Sequence, residues 1–369
     1  MVLKMCKYAT FACLLLAGVV LAHAADASVN GALKVETIEF RDLVDTTRTT
    51  VALEKSARPL ERLRDLRQGE SNPKGRSVPI KVHLPATGGP YPVLIVSHGA
   101  GGDWDTHFAQ AQHLASHGYA VLCLEHVGSN RERMTQGLKL KQNLEAMIHD
   151  ADEVMTRPRD VSFAIDRATA WNTSQERLRG KFDLQRIGVL GHSFGAYTTM
   201  ACCGMRPALE WLVPPVAPSK GVGRDLSDPR IRCGVALSPQ GVGEPFFIPE
   251  SFGTLKVPLL GITGTEDRQQ NGSSAENRRD AFALWPKGGH AFVWITNAKH
   301  LDFTDSTGSD RKVMASKTRD DVQPITRAAT LLFFDANLKS DKEAGRQLSS
   351  QGLRPYLTGA VDKVEVLSK

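Results

Sequence analysis

Short apolar runs alternate with helical patterns along most of the chain. The run Pro92–Val96 is unbroken and rich in β-branched residues, which is typical of a strand covered on both faces. Strands that alternate with helices in this way predict an α/β fold, with a mostly parallel central sheet and helices on both of its faces. The predicted strands cover residues 78–84, 92–96, 119–124, 186–190, 232–237, 257–262 and 291–296, and the predicted helices cover 107–116, 161–171, 193–203 and 325–338.

Three stretches lack such a pattern. Residues 44–76 are polar and charged, residues 130–158 form a polar insertion with weak periodicity, and residues 211–228 are rich in proline and glycine. No internal repeat or low-complexity tract occurs in the sequence, so a single domain over residues 25–369 is sufficient. Within it, residues 204–230 follow a predicted helix and are a candidate cap or loop insertion.

The first 24 residues have the pattern of a signal peptide (1–24). Lys4 and Lys7 precede an uncharged apolar run of 15 residues, Tyr8–Ala22, which is shorter than the roughly 20 residues of a membrane-spanning helix. Ala22 and Ala24 then supply the small residues that a signal peptidase reads, which predicts cleavage after Ala24. We therefore expect a secreted or periplasmic protein without a stable membrane anchor.

The composition is that of an ordinary folded protein. Of its 369 residues, 41% are hydrophobic and 23% are charged, which excludes a disordered chain, a collagen-like chain and a coiled coil. The formal net charge is +6, but the basic residues are dispersed along the sequence. A nucleic-acid partner requires a stripe of Lys and Arg, so we expect no nucleic-acid binding.

Four cysteines would remain after removal of the signal peptide. Cys123 lies in a predicted central strand and is expected to be a buried apolar side chain, whereas Cys202 and Cys203 are neighbours on a predicted helix. Because an exported protein meets an oxidising compartment, we expect one of these two to bridge Cys233. The sequence has no CxxC or HExxH pattern, so no metal site is expected.

The pentapeptide Gly191-His-Ser-Phe-Gly195 follows the predicted strand 186–190 and opens the next predicted helix. A serine in this strand–turn–helix context lies on a turn so tight that glycines are needed two residues before and after it. The turn lifts the serine hydroxyl above the carboxyl edge of the sheet, and the N-terminus of the helix points to the same place. We therefore predict that Ser193 is a nucleophile.

A serine hydroxyl is a weak nucleophile and needs a base from another loop at the same sheet edge. His290 precedes the predicted strand 291–296 and should emerge at the opposite edge, whereas His300 follows that strand. His300 is therefore the predicted base. His192 is expected to pack away from the nucleophile, and the histidines in the first half of the chain have no acid partner placed for them.

The base in turn needs a carboxylate, which fixes its tautomer and stabilises its charged form. Glu266 and Asp267 follow the predicted strand 257–262 and belong to the same sheet edge. We choose Asp267 as the acid, with Glu266 as the alternative. Asp302 and Asp305 lie close to the predicted base and are expected to structure their loop.

Acyl transfer also needs two backbone N–H groups that stabilise an oxyanion. Phe194, directly after the predicted nucleophile, is expected to supply one of them. The other is expected from the glycine-rich loop Ser97–Gly102, with Ala100 as the preferred donor. This loop lacks the G-x-x-x-x-G-K-[ST] pattern of a phosphate-binding loop.

Together these segments resemble the serine-dependent dienelactone-hydrolase-like and platelet-activating-factor-acetylhydrolase-like branch of the α/β-hydrolases. The order Ser193, Asp267, His300 is also the order of the triad members in α/β-hydrolases. The resemblance extends from about Val78 to Leu338 and implies hydrolysis of carboxylic esters, with these three residues in the triad positions. The segments that carry it are Pro92–Gly102, Glu125–Asn130, Arg157–Val161, Arg186–Tyr197, Leu237–Pro239, Thr263–Asp267 and His300–Phe303.

The sequence therefore predicts an exported serine hydrolase that cleaves small-molecule or lipid-like esters through an acyl-enzyme, without a cofactor or a metal. An acyltransferase or a peptidase on the same fold is an alternative. A catalytically silent binding protein is another, although a silent relative usually loses one member of the nucleophile, base and acid set. Trp104 and Phe303 are candidates for an apolar substrate pocket. The sequence does not predict the oligomeric state.

Overall fold

Strands occur along the chain where the apolar runs predict them. The computed structural model describes residues 26–48, 75–269, 271–305, 316 and 318–369. The strands of these residues are β1 (Val35–Phe40), β2 (Val44–Asp45), β3 (Arg76–Ser77), β4 (Ile80–Pro85), β5 (Tyr91–Ser97), β6 (Ala120–Leu124), β7 (Phe182–His192), β8 (Ile231–Leu237), β9 (Leu259–Glu266), β10 (Ala291–Lys299) and β11 (Val364–Ser368).

Nine of the strands in the described residues form one sheet, in the order β1-β4-β6-β5-β7-β8-β9-β10-β11, while β2 and β3 pair with each other. The neighbours from β6 to β10 run parallel. Antiparallel pairs lie toward the two sides, where β4 joins β1 and β6, and β11 joins β10. The predicted mostly parallel sheet is confirmed, and the carboxyl ends of its six parallel strands meet at one edge.

Helices connect the strands and cover both faces of the sheet. Those of the described residues are α1 (Phe108–Ser116), α2 (Arg131–Thr135), α3 (Leu140–His149), α4 (Ala151–Ser174), α5 (Phe194–Cys202), α6 (Pro249–Phe252), α7 (Ala275–Asp280), α8 (Arg319–Leu338), α9 (Lys342–Gln347) and α10 (Ser350–Leu353). Short 3-10 helices cover Gln136–Leu138, Ala281–Leu284, His300–Phe303 and Arg354–Tyr356.

Two apolar cores lie on the opposite faces of the sheet. Alternate residues of β5 belong to different cores: Val93 and Ile95 belong to one, and Leu94 and Val96 to the other. Helices α4 and α5 pack in the first core, and α1 and α8 pack in the second. Each fully buried aliphatic or aromatic side chain contributes roughly 1.5–3 kcal/mol to the free energy of unfolding.

The stretch 130–158 differs from the weakly periodic insertion that the sequence suggests, because it is largely helical. Helix α4 continues through Pro158 without ending there. A proline lacks the N–H that would bond to the carbonyl four residues earlier, here that of Val154. The Tyr197 hydroxyl donates to this carbonyl at 2.9 Å, so the acceptor that the proline leaves open is satisfied.

Some sequence predictions fall outside the described residues or are not decided by the fold. The signal-peptide prediction falls on residues outside the described ranges, as does most of the stretch 44–76. The single-domain assignment of 25–369 stays a prediction. Residues 204–230, the candidate cap or insertion, contain isolated bridges and no helix. Among the described helices, none combines the length and the apolarity needed to cross a membrane.

The predicted disulfide between Cys233 and Cys202 or Cys203 is wrong. All three are free, buried thiols, and so is Cys123, which is the buried side chain that the sequence predicts. Cys202 and Cys203 belong to the core on one face of the sheet, whereas Cys233 belongs to the core on the other face. The residue of β8 that faces the Cys203 sulfur is the neighbouring Gly234.

The turn between β7 and α5 leaves no room for a side chain two residues before or two residues after the serine. Ser193 has φ 57° and ψ −116°, a conformation that L-residues rarely adopt. A Cβ atom on Gly191 would lie 2.1 Å from the Gly195 carbonyl oxygen, and one on Gly195 would lie 1.9 Å from the Ser97 carbonyl oxygen. Steric contacts therefore require both glycines, as the pentapeptide predicts.

A buried cluster of charges joins α4 to Arg76 of β3 and to Arg48, which follows β2. Arg76 Nε and Nη2 donate to the two carboxylate oxygens of Asp160 at 2.7 and 2.8 Å, and Arg48 Nη1 donates to the same carboxylate at 2.8 Å. Burial raises the pKa of Asp160, but the charge of Arg76 and the hydrogen bonds from Arg76 and His126 outweigh burial. They hold this pKa well below its usual range, so the carboxylate is charged in the folded state.

This cluster predicts a loss of stability in acid. Because the pKa of Asp160 is depressed in the folded state, its contribution is present above the unfolded pKa of about 4 and is lost as the pH falls below that value. We expect Asp160→Asn to lower the free energy of unfolding at pH 7 by about 3–5 kcal/mol and to flatten its pH dependence below pH 4. Urea denaturation between pH 2 and pH 7 measures both effects.

Asp166→Asn is the matched control, because Asp166 lies on the same helix and pairs with Arg230 at the surface, at 2.6 Å. It should change the free energy of unfolding by at most about 1 kcal/mol. Equal effects of the two substitutions would contradict the role of the buried cluster.

The tight turn predicts that Gly195→Ala destabilises the fold by about 3 kcal/mol or more, because the new methyl group collides with a backbone oxygen that cannot move freely. Gly345→Ala in α9 is the control, since its nearest neighbour would be Ala336 Cβ at 3.6 Å. We expect this control to be neutral or stabilising by up to about 1 kcal/mol. Thermal denaturation of both variants measures the difference, and similar melting temperatures would refute the prediction.

Candidate active site

Three side chains from separate loops meet at the carboxyl edge of the sheet. Ser193 follows β7, Asp267 follows β9, and His300 follows β10. His300 Nε2 lies 3.0 Å from Ser193 Oγ, and His300 Nδ1 lies 2.8 Å from Asp267 Oδ1. The structure thus brings together the three residues that the sequence predicts as nucleophile, base and acid. An imidazole between a hydroxyl and a carboxylate can accept the hydroxyl proton while the carboxylate stabilises the resulting charge.

Asp267 is fully buried and held on several sides. Thr263 Oγ1 donates to its Oδ2 at 2.7 Å, and Arg278 Nη2 lies 3.3 Å from its Oδ1. Burial raises the pKa of Asp267, but the charge of Arg278 and the contact with His300 outweigh it and keep the pKa well below the usual range. The carboxylate is therefore charged despite its burial, which is the state in which a carboxylate can fix an imidazole tautomer.

The two acid candidates have different surroundings. Glu266 is the last residue of β9, is exposed, and pairs in the sheet with Lys299. Asp267 is the carboxylate that contacts His300, so the geometry favours Asp267 over the alternative.

The other histidines near the sheet have supporting contacts. His192 is buried, and its Nε2 donates to the His300 carbonyl at 2.9 Å, so it steadies the turn that carries His300. His290 Nδ1 accepts from the N–H of Leu259, the first residue of β9, which places His290 at the opposite edge as expected. The absence of an acid partner for the early histidines is wrong for His126, because its Nδ1 lies 2.8 Å from Asp160 Oδ2.

Two acidic residues near His300 bind backbone N–H groups. Asp302 Oδ2 accepts from the Lys299 N–H at 2.9 Å. Asp305 accepts from the N–H groups of Ala109 and Gln110 at 3.1 and 2.7 Å, at the start of α1. Both therefore structure the loop after β10, as the sequence predicts.

The Ser97–Gly102 loop lies directly against the serine. A Cβ atom on Gly99 would lie 3.4 Å from Ser193 Cβ. Gly101 N–H donates to the Ser129 carbonyl and Gly102 N–H donates to the Gly99 carbonyl. In the described residues, the N–H groups of Ala100 and Phe194 donate to no protein acceptor, so both are available to a bound group.

A cavity of about 190 Å³ opens beside Ser193 and His300. Its apolar wall includes Leu144, Ile148 and Phe246, and its polar lining includes Glu145, His149 and Glu244. This volume is below the roughly 300 Å³ at which pockets for drug-sized ligands begin, so only a small group fits inside.

The predicted pocket residues Trp104 and Phe303 do not line this cavity. Both are buried in the core shared with α1 and α8. The Trp104 ring packs instead beneath the charged groups of Arg41 and Lys81, which lie 4.6 and 4.7 Å from its centroid. The apolar wall of the cavity comes instead from α3 and from Phe246 in the loop after β8.

Sequence analysis missed two polar residues that support the site. Arg278 on α7 neutralises Asp267, and Gln240 Nε2 donates to the Ser193 carbonyl at 2.7 Å. Neither residue belongs to a recognisable motif, and its position in the sequence alone does not show that it contacts the site. In the part of the chain that the structure describes, no group of His, Cys, Asp and Glu is arranged to hold a metal ion.

Comparisons with known proteins agree with this fold. The family described as platelet-activating factor acetylhydrolase, isoform II, matches residues 76–157. The chain is 25% identical over 275 residues to a platelet-activating factor acetylhydrolase of Cavia porcellus, covering 64% of this chain and 54% of the relative. It is 22% identical over 261 residues to the enzyme of that name from Canis lupus familiaris, covering 62% of this chain and 51% of the relative. The chain thus spans about half the length of these two relatives.

A bacterial protein of Methylorubrum extorquens, provisionally named a carboxymethylenebutenolidase, is 26% identical over 240 residues, covering 62% of this chain and 70% of the relative. The mostly parallel sheet gives the chain an α/β-hydrolase fold, and these similarities support the branch of dienelactone-hydrolase-like and platelet-activating-factor-acetylhydrolase-like proteins.

Proposed function

We propose that this protein is an exported serine hydrolase that cleaves carboxylic esters through an acyl-enzyme intermediate. The observation that carries the proposal is the position of the His300 ring, 3.0 Å from Ser193 Oγ and 2.8 Å from Asp267 Oδ1. The names of the similar proteins, which include acetylhydrolases, support the same class of reaction. The pattern of residues 1–24 supports export.

In the proposed reaction, Ser193 Oγ attacks the ester carbonyl while His300 Nε2 takes its proton. Asp267 holds the opposite ring nitrogen and stabilises the imidazolium. The N–H groups of Ala100 and Phe194 donate to the oxyanion of the tetrahedral intermediate. His300 returns the proton to the departing alcohol, and a water molecule then repeats the same steps on the acyl-enzyme. No metal or organic cofactor takes part.

The substrate is proposed to be a small-molecule or lipid-like ester. The cavity beside Ser193 is small, with an apolar wall from Leu144, Ile148 and Phe246. It suits one modest substituent of an ester, while any larger part of the substrate lies outside it. An ester series graded by acyl length, phospholipid and polyester substrates included, identifies the preferred group.

The proposal predicts that Ser193→Ala lowers turnover of p-nitrophenyl acetate by up to about six orders of magnitude, because the variant lacks the hydroxyl that lies 3.0 Å from His300 Nε2. It also predicts that a fluorophosphonate labels the native protein at Ser193 and leaves the variant unlabelled. Ser174→Ala, at an exposed serine near the end of α4, is the control and should keep full activity. A folded native protein that neither hydrolyses esters nor becomes labelled would refute the proposal.

The proposed role of Asp267 predicts that Asp267→Asn lowers kcat by about 10⁴-fold, because the amide stabilises the wrong imidazole tautomer. Glu266→Gln is the matched control, since this neighbouring acid is exposed and lies beside Lys299. We expect the control to retain activity within a factor of two. Steady-state kinetics with folding checked by circular dichroism measures both, and a larger loss in the control would assign the acid to Glu266.

A further inference from the structure

We propose that Arg157 is a positioning residue that holds together the two backbone segments of the proposed oxyanion hole. This inference rests on the proposed ester hydrolase function. Arg157 lies on α4, is fully buried, and is one of the largest buried side chains of the described residues. Its guanidinium lies between the Ser97–Gly102 loop, which contains Ala100, and α5, which begins at Phe194.

On one side the guanidinium binds the Ser97–Gly102 loop. Arg157 Nη2 donates to Ser97 Oγ at 3.1 Å and to the His98 carbonyl. The His98 carbonyl precedes Ala100 by two residues, so this contact fixes the start of the segment whose N–H is proposed to bind the oxyanion. A hydrogen bond from a charged donor is about twice as strong as one between neutral groups.

On the other side the guanidinium binds helix α5. Arg157 Nε donates to Thr198 Oγ1 at 3.0 Å, and Thr198 Oγ1 donates to the Phe194 carbonyl at 3.0 Å. The guanidinium carbon also lies 4.4 Å from the centroid of the Phe194 ring, a cation–π distance. One planar group thus contacts both segments that carry the two proposed oxyanion donors.

The hydroxyl groups around the guanidinium are oriented to accept its hydrogen bonds. His126 Nδ1 donates to Asp160, so its Nε2 accepts from the Ser97 hydroxyl at 2.9 Å and leaves the Ser97 lone pairs to Arg157. Burial lowers the pKa of His126 to about 3, which agrees with a neutral ring in this role. Ser129 Oγ likewise donates to Glu153 Oε2 at 2.8 Å and accepts from Arg157 Nη1 at 2.7 Å.

The charge of Arg157 is not cancelled by a direct partner. Among the described residues, no carboxylate lies within ion-pair distance of this guanidinium, and its links to Glu153 and Asp160 pass through hydroxyl and imidazole groups. The positive charge lies against the two backbone segments that carry the proposed oxyanion donors. Preorganised charges of this kind stabilise developing negative charge in a site that excludes water.

The test compares two conservative deletions of a hydroxyl that binds the same guanidinium. Thr198→Val removes the link to α5, whereas Ser129→Ala removes a link to Glu153 and leaves both proposed donor segments bound to Arg157. Arg157→Met removes all of the links. For each variant the experiment measures kcat and KM for p-nitrophenyl acetate, and the inhibition constant of a trifluoromethyl ketone, whose adduct with the serine carries an oxyanion.

We expect Thr198→Val to lower kcat about tenfold and Arg157→Met to lower it about a hundredfold, since small displacements of a catalytic geometry have effects of this size. The ketone should bind more weakly by the same factor, while KM stays within about threefold. Ser129→Ala should keep kcat within about twofold of the native enzyme.

Equal losses of kcat in Thr198→Val and Ser129→Ala, or a loss in neither, would overturn the inference, and so would a folded Arg157→Met enzyme with native kcat. If Arg157→Met does not fold, the comparison of Thr198→Val with Ser129→Ala decides whether Arg157 has the positioning role. A native protein that hydrolyses no ester and binds no ketone would refute the proposed function itself. A fully active native enzyme with insensitive variants would refute only the role of Arg157.

Discussion

The site depends on one close approach of two backbones. The first turn of α5 lies so near the end of β5 that a methyl group on Gly195 would reach within 1.9 Å of the Ser97 carbonyl oxygen. This contact is possible because β5 and β7 are neighbours in the sheet, with Ser97 paired to Gly191. The same approach places the Ser97–Gly102 loop against Ser193, so the serine and both proposed oxyanion donors lie within one small volume.

The second requirement is to keep charged groups in places that water does not reach. Removing a carboxylate from water is costly unless a cation and further hydrogen bonds compensate it. Asp267 has Arg278 and Thr263 for this purpose, and Asp160 has Arg76 and Arg48. In both cases an arginine keeps the pKa of the acid low although burial raises it. The charged partners of the buried acids are thus part of the architecture of the site.

Much of this arrangement is predictable from the sequence, because it follows from the direction of the chain through a parallel sheet. A residue that follows a strand emerges at the carboxyl edge, and this rule alone separates His300 from His290 and places Asp267 near Ser193. The glycines at 191 and 195 are predictable for a similar reason, since the turn excludes a Cβ atom at both positions. Local sequence patterns are therefore sufficient to predict which sheet edge a residue lies at and where a tight turn requires glycine.

The features that sequence analysis missed depend on contacts between distant segments. No local pattern shows that Tyr197 satisfies the carbonyl opened by Pro158, or that Cys203 and Cys233 face opposite sides of the sheet. The buried charges of α4 do have a signal, however. The positions 153, 157 and 160 continue the apolar face formed by 161, 164 and 168, so charged residues on this face predict a buried network.

The strained backbone of Ser193 is held by contacts from the elements packed around it. A residue in such a backbone conformation persists only when its surroundings fix it. The Ser193 N–H donates to the Leu237 carbonyl at 3.0 Å, and its own carbonyl accepts from Gln240 Nε2 at 2.7 Å and from the Tyr197 N–H at 3.1 Å. These contacts come from β8, from Gln240 just beyond its end, and from α5, which packs in the core on one face of the sheet. Two apolar residues of the cavity wall, Leu144 and Ile148, come by contrast from α3, which makes none of these contacts with Ser193. Substitutions of these two α3 residues can therefore change which substituent fits without removing a contact that holds the serine.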